Sequence, residues 1–100
     1  MSKVLMGKLH DLPPGSVIEK RIMARRIAVF NVGGTFYGIE SECKHMKASL
    51  AKGGIENGIL TCNWHGWKYD LETGECLGRP GMKLRRYDVV VEQDSIFLII

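Results

Sequence analysis

One hundred residues, 45% hydrophobic and 25% charged, suit a single folded domain over residues 1–100 with a modest core. A formal net charge of +3 without a polybasic tract points away from nucleic acid, and no apolar run approaches the roughly 20 residues of a membrane helix. The three cysteines, Cys43, Cys62 and Cys76, are an odd number that disfavours a disulfide framework and favours a metal or redox use.

The N-terminal MSKVLMGKLHDLPPG lacks both the apolar segment of a signal peptide and a twin-arginine signal, so a soluble cytoplasmic protein is expected. Pro13-Pro14-Gly15 punctuates the entry to a first strand at Ser16–Met23, followed by a second at Ile27–Val32. Lys20-Arg21 and Arg25-Arg26 fall in this region and read as a solvated face. Gly33-Gly34 has the spacing of a two-residue hairpin turn into Thr35–Ile39. At the far end, Leu84–Val91 and Ser95–Ile100 flank Glu92–Asp94 as a second hairpin. Between the hairpins, from about residue 41 to 82, lies a glycine-rich insert in which Met46–Lys52 has room for about one helical turn. The fold class is all-β: an antiparallel scaffold carrying a loop-rich insert that holds the chemistry.

The insert contains Cys43-Lys44-His45, then sixteen residues, then Cys62-Asn63-Trp64-His65. Two cysteines and two histidines suit a structural zinc ion. Zinc sites, however, usually draw a like pair from one knuckle, C-x2-4-C or H-x3-5-H. Here each pair is mixed, and such a pair can diverge toward two adjacent irons.

The arrangement resembles the Rieske family, whose pattern is C-x-H followed at about this distance by C-x-x-H. The resemblance continues through Ala48-Ser49-Leu50, Gly66, Tyr69-Asp70 and Thr73-Gly74-Glu75. Gly78-Arg79-Pro80-Gly81 looks like the proline loop that covers the cluster in relatives. It implies a Rieske-like antiparallel β sandwich with a cluster-binding subdomain over about 41–82, and one [2Fe–2S] cluster. By the family pattern, Cys43 and Cys62 hold one iron while His45 and His65 hold the other. Two ferric ions, two sulfides and two thiolates sum to zero, and reduction leaves −1; four thiolates would give −2 and −3. Neutral imidazoles therefore make electron uptake easier.

Respiratory relatives staple their cluster loops with two further cysteines, where this chain has Ala48 and Trp64. They place a serine hydroxyl near a bridging sulfide, where this chain has Trp67. Tyr69 stands where relatives place a phenol on a cluster cysteine sulfur. Relatives often have glycine at the position of Lys47, which fits either the docking rim or a solvated surface. Trp64 and Trp67 read as space-filling shields of the cluster, Cys76 as a buried small hydrophobe, and His10 as a surface residue.

A Rieske centre serves quinol complexes, oxygenases or free ferredoxins. Quinol complexes bring an anchor and the loop disulfide. An oxygenase needs a second iron site with two histidines, and this chain has only three histidines in all. The resemblance thus implies a non-enzymatic monomeric ferredoxin, carrying electrons from a flavoprotein reductase to a terminal oxygenase. The small subunit of a nitrite-reductase-type enzyme and a redox-sensing or structural module are the alternatives.

Overall fold

The computed structural model describes residues 2–43, 49–63 and 66–100, with the backbone alone for Lys52. Six antiparallel strands form the larger sheet: β1 (Lys3–Lys8), β2 (Val17–Ile22), β3 (Arg25–Val32), β4 (Thr35–Glu40), β8 (Arg86–Glu92) and β9 (Ser95–Ile99). Their order is β1-β9-β8-β4-β3-β2. The sheet curls until its outer strands meet, where Lys20 Nζ donates to the Leu5 carbonyl at 3.1 Å. The result is close to a barrel. Between β4 and β8 the chain builds a second sheet from β5 (Gly54–Glu56), β6 (Ile59–Thr61) and β7 (Lys68–Asp70).

The alternation along β3 shows how the two sheets fit together, because successive side chains of a strand point to opposite faces. Ile27 and Val29 face the barrel interior with Met6, Leu12, Ile96 and Leu98. Ala28 and Phe30 face the other way and pack with Ile39 against Leu50, Leu60, Tyr69 and Leu71. Buried on both faces, β3 is the wall between two apolar clusters. Gly38 in β4 permits the close fit behind it, since a Cβ there would meet Leu98 Cδ1 at 2.7 Å.

The expected all-β architecture is present, and both hairpins lie where the sequence placed them. Gly33 and Gly34 turn with φ of 61° and 96°, a conformation glycine adopts without steric cost. The strand expected from Leu84 starts at Arg86; the Leu84 amide instead bonds Gly74 O and its side chain is buried beside the small sheet. The helical turn expected in Met46–Lys52 is a 3-10 turn at Leu50–Lys52, and residues 46–48 lie outside the described part. Strands β1, β5, β6 and β7 are additions to the sequence reading. Among the described residues no helix is long and apolar enough to cross a membrane.

Candidate metal centre

Three loops surround the two candidate cysteines, and each is closed at its base by backbone hydrogen bonds. The first runs from Ser41 to Leu50: the Leu50 amide donates to Ser41 O at 3.1 Å, and Glu42 bridges Ser49. Cys43 lies inside it. The second is the tip of the β6–β7 hairpin, where the Cys62 amide donates to Trp67 O at 2.7 Å. The third spans Cys76 to Met82 and contains Arg79-Pro80. It closes where the Cys76 amide donates to Met82 O at 2.9 Å.

Side chains join the loops. The Arg79 guanidinium lies 3.8 Å from the centroid of the Trp67 ring, tying the third loop to the second. Tyr69, in β7, places its hydroxyl 3.3 Å from Cys43 Sγ in the first loop. Tyr69 faces Cys76 across an antiparallel bridge, and the Leu77 amide donates to Lys68 O, so the third loop runs on from the small sheet. Gly74 turns the chain between β7 and the third loop at φ 83°, where a Cβ would overlap the Leu84 carbonyl.

Cys43 and Cys62 are 0% and 1% exposed, and no disulfide joins any of the three cysteines. Two thiols on neighbouring loops, removed from water and with a phenol aimed at one sulfur, suit thiolates that give their charge to a metal. His45 and His65 lie outside the described residues, as do Lys47, Ala48 and Trp64. Among the described residues no group of three or more His, Cys, Asp or Glu gathers for a metal. Cys43 and Cys62, the thiol half of the predicted donor set, are both buried, a setting whose chemistry suits a [2Fe–2S] cluster.

The Rieske [2Fe-2S] domain profile matches residues 2–88. The chain belongs to the Rieske family. It is 36% identical over 100 residues to the 3-phenylpropionate/cinnamic acid dioxygenase ferredoxin subunit of Shigella boydii serotype 4 (strain Sb227), covering 98% of this chain and 93% of that protein. The ferredoxin of carbazole 1,9a-dioxygenase from Nocardioides aromaticivorans IC177 superposes with a TM-score of 0.87 at 27% identity, covering 98% of this chain and 97% of that one. A complex of reduced oxygenase and oxidized ferredoxin in carbazole 1,9a-dioxygenase contains a chain with a TM-score of 0.86 at 28% identity, covering 96% and 91%. The protein is thus a Rieske-type ferredoxin, an electron carrier with a single [2Fe–2S] cluster.

The remaining residues stand much as their chemistry suggests. Cys76 is buried, and burial pushes its thiol pKa up. Trp67 packs partly buried against the core and presents a ring face to Arg79, so it is both filler and anchor. His10 is a surface residue, 3.3 Å from Asp11. Lys20, Arg21 and Arg25 are exposed. One residue escaped the sequence reading. Glu19 of β2, an exposed residue, accepts hydrogen bonds from Ser41 Oγ at 2.5 Å and Ser49 Oγ at 2.7 Å.

Proposed function

We propose that Cys43 and Cys62 bind one iron of the cluster and His45 and His65 the other. On this reading the whole chain acts as one Rieske domain whose cluster-binding part spans about residues 41–82. The observation that carries the assignment is the buried Cys43 sulfur with the Tyr69 hydroxyl 3.3 Å away. The bound cluster supplies one-electron redox chemistry. The chain's own part is to exclude water from the two sulfurs and to aim hydrogen-bond donors at them. A phenol that donates to a thiolate favours the form with more negative charge, which is the reduced one.

The electrons pass, on this reading, from a flavoprotein reductase to a terminal oxygenase that hydroxylates an aromatic or similar substrate, in the cytoplasm. Near-full-length likeness to a dioxygenase ferredoxin subunit and to a chain from a complex of oxygenase and ferredoxin supports the second partner. Two thiolates offset the +2 of the oxidised core, so the formal charge stays near +3 and falls by one on reduction. Arg79 is exposed beside Trp67, and Lys47 sits between the ligands in sequence. Docking therefore proceeds through the cluster end, around His45, His65 and Lys47, onto an acidic surface.

Purified protein should be red-brown with about two irons and two sulfides per chain, and its reduced form should give the low average g value of mixed ligation. Stoichiometric zinc without visible absorption would overturn the assignment. Electron transfer to the oxygenase should slow as salt rises and slow further in Lys47→Glu. Rates indifferent to both would remove the docking model.

A further inference from the structure

We propose that Glu19 is a positioning residue for the cluster: its carboxylate clamps both ends of the Cys43 loop to the scaffold sheet. The inference rests on the ligand assignment above only for its functional meaning. The clamp itself is a matter of geometry.

Glu19 pairs with Ala28 of β3, and Ala28 pairs with Ile39 of β4, so the three share one face of the sheet. Ser41, two residues past Ile39, returns to that face, and its amide prolongs the ladder by donating to Arg26 O at 2.7 Å. Between Glu19 and Ile39 the side chain of Ala28 ends at Cβ, which leaves a path for the longer glutamate. One oxygen, Oε1, lies 3.9 Å from Arg26 Nε. The other, Oε2, accepts from Ser41 Oγ and Ser49 Oγ.

These two serines are the feet of the loop. Ser41 stands two residues before Cys43, and Ser49 stands four residues after His45. Ser41 is 0% exposed, so its hydroxyl has little access to solvent. Ser49 Oγ donates to Glu19 and accepts from the Ala51 amide at 3.3 Å, which begins the 3-10 turn at Leu50. A single carboxylate oxygen thus adds, to the backbone bonds that close the loop, a tie from both of its feet to β2. A loop whose feet cannot part keeps its sulfur at a constant distance from the Tyr69 hydroxyl and from the second cysteine loop.

The test compares Glu19→Ala, Glu19→Gln and Ser41→Ala/Ser49→Ala with the unaltered protein. Hydrogen exchange is followed at the Leu50 amide, which bonds Ser41 O, and at Val29 in β3 as a reference. Cluster loss to an iron chelator and the g values of the reduced protein are followed in parallel. Glu19→Ala and the double serine variant should each lose about tenfold in Leu50 protection with Val29 unchanged. They should release iron about tenfold faster and show broadened g values. Glu19→Gln keeps an oxygen that accepts both hydroxyls and should behave close to the unaltered protein.

Unchanged protection at Leu50, equal losses at Leu50 and Val29, or a glutamine variant as loose as the alanine one would overturn the clamp. The exchange arm reads the loop in whatever metal state the purified protein has. A chain found to hold zinc or no metal would therefore sink the ligand assignment and still leave the clamp to be decided.

Discussion

The two faces of β3 are held by different means. On the barrel side, Ile27 and Val29 meet Met6, Leu12, Ile96 and Leu98, and order comes from apolar burial within long paired strands. On the other side, Ala28 and Phe30 support a sheet of three strands with only three residues each. Strands so short are marginal alone. Beside the burial of Leu50, Leu60, Tyr69, Leu71 and Leu84, turns closed by single amides, the Arg79–Trp67 contact and the Glu19 carboxylate hold the loops in place. Both faces bury apolar side chains, the small-sheet side more of them; the difference is that long strands order the barrel side whereas loops must hold the geometry around the cysteines on the other. Variants on the two faces should then separate unfolding from redox behaviour.

The largest effect belongs to the ligands. Cys43→Ser or Cys62→Ser should abolish the cluster, as iron analysis and visible absorption will show, while amide exchange finds the six-stranded sheet still protected. Cys76→Ser should keep both irons. Selective loss of the cluster in folded Cys76→Ser would mean that the ligands are wrongly assigned.

On the barrel side, Leu98→Ala should cost about 2–5 kcal/mol in denaturant unfolding. The potential of the molecules that remain folded should not move. If it moves as far as in a cluster-side variant, the two faces are not independent.

Tyr69→Phe is the converse case. It removes one donor to the Cys43 sulfur and should lower the potential by at most roughly 60–130 mV, the equivalent of a charged hydrogen bond of about 1.5–3 kcal/mol. Protein-film voltammetry measures it; a rise would contradict the donor role. With Trp67 where respiratory relatives have a serine hydroxyl, the unaltered centre should already lie near the bottom of the Rieske range of roughly −150 to +300 mV.

The smallest effect is alkaline. Burial raises the Cys76 thiol pKa above its ordinary value, so below that ordinary value both folded and unfolded chains keep the proton. As pH climbs past it, the unfolded chain loses the proton first, and stability falls. Cys76→Ala should flatten this alkaline limb of the unfolding curve and leave neutral stability otherwise governed by packing.

Much of this division is legible in the amino-acid sequence. Turn chemistry marks the hairpin at Gly33-Gly34, and ligand spacing marks both cysteine loops. Strand β1 is not legible, because its partner β9 lies at the far end of the chain and its register shifts between Leu5 and Gly7. The β5–β6 hairpin does carry a signal, Asn57-Gly58 with φ of 54° and 76°, inside a region rich enough in glycine to hide it. Met23 and Gln93 turn at φ of 59° and 56° without a glycine, which blurs the strand ends around them. Glu19 is invisible for another reason. A charge on a strand reads as solvated unless the two serines that reach it, 22 and 30 residues away, are known.

The seam between β1 and β2 is closed by Lys20 reaching the Leu5 carbonyl, with the two strands at opposite ends of the sheet order. An open strand edge invites another chain to pair with it, and a lysine along the edge discourages that pairing. A second copy pairing along this seam would have to displace the Lys20 ammonium from the Leu5 carbonyl. A carrier must meet its partners briefly and part again, and this seam helps to keep it from adhering to its own kind when crowded.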